Sequence, residues 1–91
     1  MMTKVKIPTQ LRTLTDGAEE VEATGGTLAE LIDDLESRHP GVKTRLMDDG
    51  GNLRRFVNVY LDDEDVRFLE GLGTTIPSGA KISIIPAVAG G

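Results

Sequence analysis

One capped amphipathic helix, flanked on both sides by short alternating segments, constrains the fold of this chain more than any other feature. Thr27 is a good N-cap, and Glu30 stands three residues later at the capping-box spacing. Leu28, Leu31, Ile32 and Leu35 then repeat at the interval that builds one buried stripe, leaving Asp33, Asp34 and Glu36 on the other side. Pro40 disfavours helical backbone at His39, so the helix should stop near Arg38. Before it, Thr3–Ile7 alternates with Val5 and Ile7 on one face, and Glu19–Ala23 alternates with Val21 and Ala23 facing in. The two runs predict a β-hairpin with a loose connection that contains Pro8 and a turn at Thr15-Asp16-Gly17.

After the helix, Val42–Met47 reads as a short helical turn and Asp48-Asp49-Gly50-Gly51-Asn52 as a loop. Arg54–Leu61 is the strongest strand pattern, with Val57, Val59 and Leu61 on one face and Phe56, Asn58 and Tyr60 on the other. Asp62–Asp65 reads as a charged turn into a short strand at Val66-Arg67-Phe68, and Leu72–Ile76 as irregular. Ser78-Gly79 turns the chain into a last strand, Lys81–Pro86, with Ile82 and Ile84 inward. One main helix among these strands predicts an α+β layer, a mixed sheet of four to five strands covered on one face. The first and last strands can pair in parallel. Residues 1–86 are expected to form this domain and residues 87–91 a mobile tail.

A chain of 91 residues can bury one modest core and leaves little room for a deep cleft. It carries 10 Lys+Arg against 15 Asp+Glu, a net charge of −5, and only 3% aromatic residues. Nucleic-acid binding needs a basic stripe or a stacking platform, so neither balance suits it. The acidic balance suits instead a partner with a basic docking face. The absence of cysteine excludes disulfides, thiolate metal sites and a cysteine nucleophile. The N-terminus lacks the apolar run of a signal peptide and no segment is long enough to span a membrane, so the expected location is cytoplasmic.

Enzyme signatures are missing. The one histidine, His39, lies at a helix end beside Pro40 and reads as a residue near the helix dipole. Gly25-Gly26-Thr27 opens a helix but lacks the lysine and spacing of a phosphate loop. Asp62-Asp63-Glu64-Asp65 does not have the alternation or central glycine of a calcium loop, and no metal site is expected. Phe56, Tyr60 and Ile85 should cluster on the sheet face opposite the core, as a partner surface, unless the loop around 48–53 folds over them.

The tail Ala87-Val88-Ala89-Gly90-Gly91 carries the chemistry. Two glycines without Cβ atoms can thread a channel that excludes side chains, so the carboxylate of Gly91 can reach an active site while the body docks elsewhere. Activation by ATP as an acyl-adenylate supplies a leaving group, and a sulfur nucleophile can then yield a thiocarboxylate, a sulfide donor. With no cysteine in the chain, Gly91 is the place where sulfur can be carried.

Two segments carry a family resemblance. Arg55–Arg67, read as Arg-Phe-Val-Asn-Val-Tyr-Leu-Asp-Asp-Glu-Asp-Val-Arg, and Ile82–Gly91, read as Ile-Ser-Ile-Ile-Pro-Ala-Val-Ala-Gly-Gly, resemble the central strand-turn-strand and the last strand and tail of the ThiS/MoaD sulfur carriers. The capped helix at Thr27–Ile32 sits where that family has one. The long loop before Arg54-Arg55 and the Ala-Val-Ala-Gly-Gly ending look nearest to the cysteine-synthesis branch. The resemblance implies a ubiquitin-like β-grasp fold and a protein that is not an enzyme but the cosubstrate of others. It implies adenylation of Gly91 by an E1-like adenylyltransferase/sulfurtransferase that uses ATP, with Ala87, Val88, Ala89 and Gly90 lying in the partner's channel. In the nearest branch, a pyridoxal-phosphate (PLP) cysteine synthase takes the sulfur onto an activated serine, and a JAMM-type metalloprotease trims the adduct. ATP, zinc and pyridoxal phosphate belong to those partners, and the chain itself is expected to bind no cofactor. Sister branches serve molybdopterin, thiamin or tRNA thiolation, and the same activated glycine could acylate lysines as a protein modifier. The shared Gly-Gly ending leaves these alternatives open.

Overall fold

The computed structural model describes residues 2–86. Five strands form one sheet: β1 (Thr3–Lys6), β2 (Glu20–Ala23), β3 (Val57–Leu61), β4 (Glu64–Asp65) and β5 (Lys81–Pro86), in the order β2-β1-β5-β3-β4. The first and last strands pair in parallel, Val5 beside Ile82 and Lys6 beside Ser83, while every other neighbour is antiparallel. This is the mixed sheet expected from the sequence, and its centre is the strand that leads to the C-terminus. Helix α1 (Leu28–Arg38) crosses one face, and α2 (Val42–Leu46) follows it.

Helix α1 forms where its pattern places it. The Thr27 hydroxyl accepts from Glu30 N–H at 3.3 Å, and the Glu30 carboxylate accepts from Thr27 N–H at 3.2 Å. Those two bonds occupy donors that the first turn cannot satisfy itself. Leu28, Leu31, Ile32 and Leu35 are buried against Val5, Val59, Ile82 and Ile84 from the sheet. Between helix and sheet there is no space for a water molecule. The core therefore holds the fold together and offers nothing to a ligand.

Tertiary contacts reshape several of the expected elements. The connection after Pro8 is a 3-10 helix, Thr9–Thr15, which buries Leu11 and ends at Asp16 in left-handed backbone (φ 54°). Strand β3 begins at Val57, not Arg54, because Val57 N–H bonds back to the Arg54 carbonyl at 3.1 Å and closes a turn. The strand expected at Val66–Phe68 is a 3-10 turn, and β4 is the two residues before it. The Asp65 carboxylate accepts from Arg67 N–H at 2.8 Å, which bends the backbone away from the sheet and leaves Val66 alone in the core. The segment expected to be irregular contains a 3-10 turn at Gly71–Gly73 and then docks on the helix start: Leu28 N–H bonds to the Thr74 carbonyl at 3.0 Å and Ile76 N–H to the Gly26 carbonyl at 2.9 Å.

The acidic side of α1 is not merely solvated. Asp34 accepts from Thr24 N–H at 2.9 Å, tying β2 to the helix. That bond first, and the Arg38 guanidinium at 2.6 Å second, hold its carboxyl below the usual carboxylate range. Glu36 accepts from Gly41 N–H at 3.1 Å and Lys43 N–H at 2.9 Å, so it caps the start of α2. Gly41 itself sits at φ 103°, backbone that favours glycine. Gly25 is constrained differently. A Cβ there would meet the Glu30 carbonyl carbon at 2.8 Å and the Leu31 amide nitrogen closer still, so only glycine allows the chain to pass the helix at that point.

Candidate functional site

The site is built around the end of β5. Strand alternation along β5 buries Ile82 and Ile84 against α1 and turns Ser83 and Ile85 to the outer face of the sheet. The register then fixes the neighbours of the strand end: Pro86 lies beside Val57, Ile85 beside Asn58, and Ser83 between Tyr60 and Lys6. Phe56 immediately precedes Val57, so it stands next to the point where the chain leaves the sheet. The residues 87–91, and with them Ala87, Val88, Ala89, Gly90 and Gly91, lie outside the described residues.

The structure exposes Phe56 (54%) and Ile85 (48%), and leaves Tyr60 half-buried between Ser83 and Asp65. Phe56 reaches the outer face from a turn and not from the strand itself, which corrects the simple strand-face pairing of Phe56 with Tyr60. The loop after α2 does not cover Phe56. It folds on itself, with Asp48 N–H on the Asn52 carbonyl at 2.8 Å and a bridge between Met47 and Leu53. Leu53 packs against the core. Sequence reasoning also missed Phe68, the most exposed large apolar residue at 86%, because alternation with Val66 placed it in a strand. Its exposure follows from the Asp65-capped turn.

On the other side of β5, a groove of about 320 Å³ runs between the strand end and the 3-10 helix after β1. Ile7, Pro8, Ile85 and Pro86 supply its apolar part, and Lys6 and Arg12 its charge. Arg12 is held in place by a 3.1 Å bond from Nε to the Ile7 carbonyl. The outer face of the sheet is thus apolar at the strand end and charged toward β2, where Lys81 reaches Glu20 at 3.7 Å.

The other candidates are structural. Asp62, in left-handed backbone at φ 55°, accepts from Lys81 N–H at 3.1 Å, and Asp65 caps the turn after it. Two of the four acids in the charged turn therefore shape the backbone. Among the described residues no group of three His, Asp or Glu side chains could hold a metal ion, and no helix is long and apolar enough to cross a membrane. His39 closes α1, its N–H on the Leu35 carbonyl at 2.7 Å.

The chain is similar over its whole length to the sulfur carrier protein CysO of Mycobacterium tuberculosis, with 52% identity over 93 residues and all of both chains covered. In three dimensions it is similar to a chain of the crystallised BexX/CysO complex of Amycolatopsis orientalis, with 54% identity and a TM-score of 0.92, covering 98% of this chain and 99% of that one. It is similar at greater distance to SAMP1 from Haloferax volcanii, with 26% identity and a TM-score of 0.81 over all of both chains. These neighbours share the ubiquitin-like β-grasp arrangement of one mixed sheet on one main helix. The ThiS family model matches residues 5–91, and the chain belongs to the ThiS family.

Proposed function

We propose that this protein is a sulfur carrier for cysteine biosynthesis, working in the cytoplasm, and that the carboxylate of Gly91 is the group that carries the sulfur. The observation that carries this reading is the full-length likeness to a sulfur carrier protein, 52% identical with no part of either chain left over. The geometry agrees with it. The last strand is clamped between β1 and β3, so residues beyond Pro86 start from a rigid base beside an exposed apolar surface. A rigid base and a side-chain-free end suit presentation of a terminal group to another protein.

In this scheme the Gly91 carboxylate attacks the α-phosphate of ATP on an E1-like adenylyltransferase/sulfurtransferase, and pyrophosphate leaves. Hydrosulfide then attacks the acyl carbon, the acyl–phosphate C–O bond breaks and AMP leaves, and the carbonyl carbon keeps the sulfur as a thiocarboxylate. A PLP-dependent cysteine synthase accepts that sulfur on an activated serine, and a JAMM-type metalloprotease restores the glycine end. The chain itself supplies the reacting carboxylate, the tail Ala87–Gly90 that enters the partner's channel, and the docking surface of Phe56, Tyr60 and Ile85. That a CysO is crystallised in complex with BexX supports a carrier that works bound to a second protein.

Intact-mass analysis after incubation with the cognate activating enzyme, ATP and a sulfur source tests the reading. The expected product is heavier by one oxygen-to-sulfur exchange at the C-terminus. An unmodified mass, with the enzyme shown to be active, removes it. Lysine-linked Gly-Gly remnants from this chain on cellular proteins would transfer the function to protein modification.

A further inference from the structure

Three of the ten cations of this protein pair with a carboxylate among the described residues; Lys4, Lys6 and Arg45 do not, and neither do the arginines around the end of β5. Away from the end of β5, Arg38 pairs with Asp34 at 2.6 Å, Lys43 with Asp33 at 2.6 Å, and Lys81 with Glu20 at 3.7 Å. Around the end of β5 the partners are neutral. Arg12 Nε donates to the Ile7 carbonyl at 3.1 Å and Arg54 Nε to the Thr44 carbonyl at 2.9 Å. Arg67 donates to Asn58 Oδ1 and to the Arg54 carbonyl, both at 2.7 Å. Arg55, exposed, stands between Arg54 and Phe56. Among the described residues, none of these four arginines has a carboxylate within 4.0 Å.

A neutral acceptor orients a guanidinium without cancelling its charge. Arg12, Arg54 and Arg67 are therefore held ready, with part of their side-chain entropy already lost, while their remaining N–H groups and full charge stay available. The placement is unusual for a chain of net charge −5. The acids Asp62, Asp63 and Glu64 lie at the opposite end of β3, away from these arginines.

We propose that Arg12, Arg54, Arg55 and Arg67 form a cationic collar around the end of β5 that receives carboxylates on the surface of the activating enzyme, with Phe56 seated in an apolar pocket inside the ring. The proposal rests on the carrier reading for the identity of that partner. Nucleic acid does not fit the same collar, because the body behind it is acidic and has few aromatic residues for stacking. Carboxylates meeting fixed guanidiniums speed encounter and set orientation, which a tail aimed at a narrow channel requires.

The test is calorimetric binding of the full chain to its activating enzyme, without ATP, over a series of salt concentrations. The parent affinity is expected to fall as salt rises. Arg55→Glu is expected to weaken binding about tenfold or more at low salt and to flatten the salt dependence. Arg55 makes no hydrogen bond to the fold among the described residues, so folding is not at stake. Asp63→Lys, at the far end of the sheet, is expected to change affinity by about twofold or less. Salt-independent affinity, an Arg55→Glu variant that binds like the parent, or no binding by the parent at low salt overturns the collar. Intact mass is read in parallel. Salt-dependent binding without any oxygen-to-sulfur exchange keeps the collar and removes the carrier reading. Exchange through binding indifferent to salt and to Arg55 does the reverse.

Discussion

The two faces of the sheet are made from the same strands and have opposite fates. On the inner face, Val5, Val59, Ile82 and Ile84 disappear beneath α1, leaving no space for a water molecule. On the outer face, Phe56 and Ile85 remain half in solvent, and Arg55 is exposed and makes no hydrogen bond to the fold among the described residues. Successive residues of one strand, Ile84 and Ile85, are assigned to the two faces by alternation alone. Stability is thus concentrated where no partner can reach. The surface near the strand end is free to be shaped by recognition, because changing it costs the fold little. That separation suits a carrier that works bound to another protein.

Substitutions can break this comparison from either side. The largest effect on the fold is expected for Leu31→Ala, which empties a fully buried site of α1. Chemical denaturation should show a loss of about 2–5 kcal/mol. Gly25→Ala comes next: the added Cβ collides with the backbone of Glu30 and Leu31, and neither can retreat without shifting the capped start of α1. A loss of about 1–3 kcal/mol is expected in the same assay, and an unchanged stability would mean that the helix start is looser than its geometry.

Phe56→Ala inverts the pattern. Stability should stay within about 0.5 kcal/mol of the parent, since the ring is half exposed. Binding to the activating enzyme should weaken by about tenfold, the effect of removing an aromatic anchor. A large drop in melting temperature would place Phe56 with the inner face and sink the division. The smallest effect belongs to Asp34→Asn. The Asp34 carboxyl is held low by Thr24 N–H and then by Arg38, so its contribution is complete above the ordinary carboxylate range and is lost as pH falls through the depressed native value. Melting temperatures of parent and variant should differ slightly at neutral pH and converge in acid. A gap that widens in acid would contradict the assigned direction.

How much of this was legible in advance depended on whether a residue's role is local. The capping box at Thr27 and Glu30, the stripe from Leu28 to Leu35, and the alternation through β3 and β5 are local patterns, and each appears where it was expected, except that β3 starts at Val57 and not at Arg54. The parallel pairing of the first and last strands is also as expected. The 3-10 helix at Thr9–Thr15 has only one apolar pair three residues apart, Leu11 and Leu14, too short a pattern to announce it. Val66–Phe68 alternates like a strand, yet the Asp65 side chain overrides the pattern. Glu36 could be read only as a solvent-facing acid, because its partners at Gly41 and Lys43 lie beyond the helix end. Gly25 looked like turn glycine, while its requirement is the closeness of α1. At the site, the exposed Ile85 was legible from alternation, whereas Phe56 is exposed as expected but from a turn before β3. The proposed arginine collar was not, because the neutral partners of Arg12, Arg54 and Arg67 are a side-chain amide and backbone carbonyls 5 to 13 residues away, which follow no local pattern. The net acidity of the chain points to a partner with a basic face, and the proposed collar is a separate expectation for the strand end.

The central claim is that the reacting group is the carboxylate of Gly91 and that the body only presents it. The most direct measurement compares the parent chain with the same chain extended by one alanine after Gly91, both treated with activating enzyme, ATP and sulfur source and read by intact mass and melting temperature. The account predicts that the parent exchanges one oxygen for sulfur, that the extended chain does not, and that the two melt together. Sulfur on the extended chain, or on any residue other than the last glycine of the parent, would contradict it.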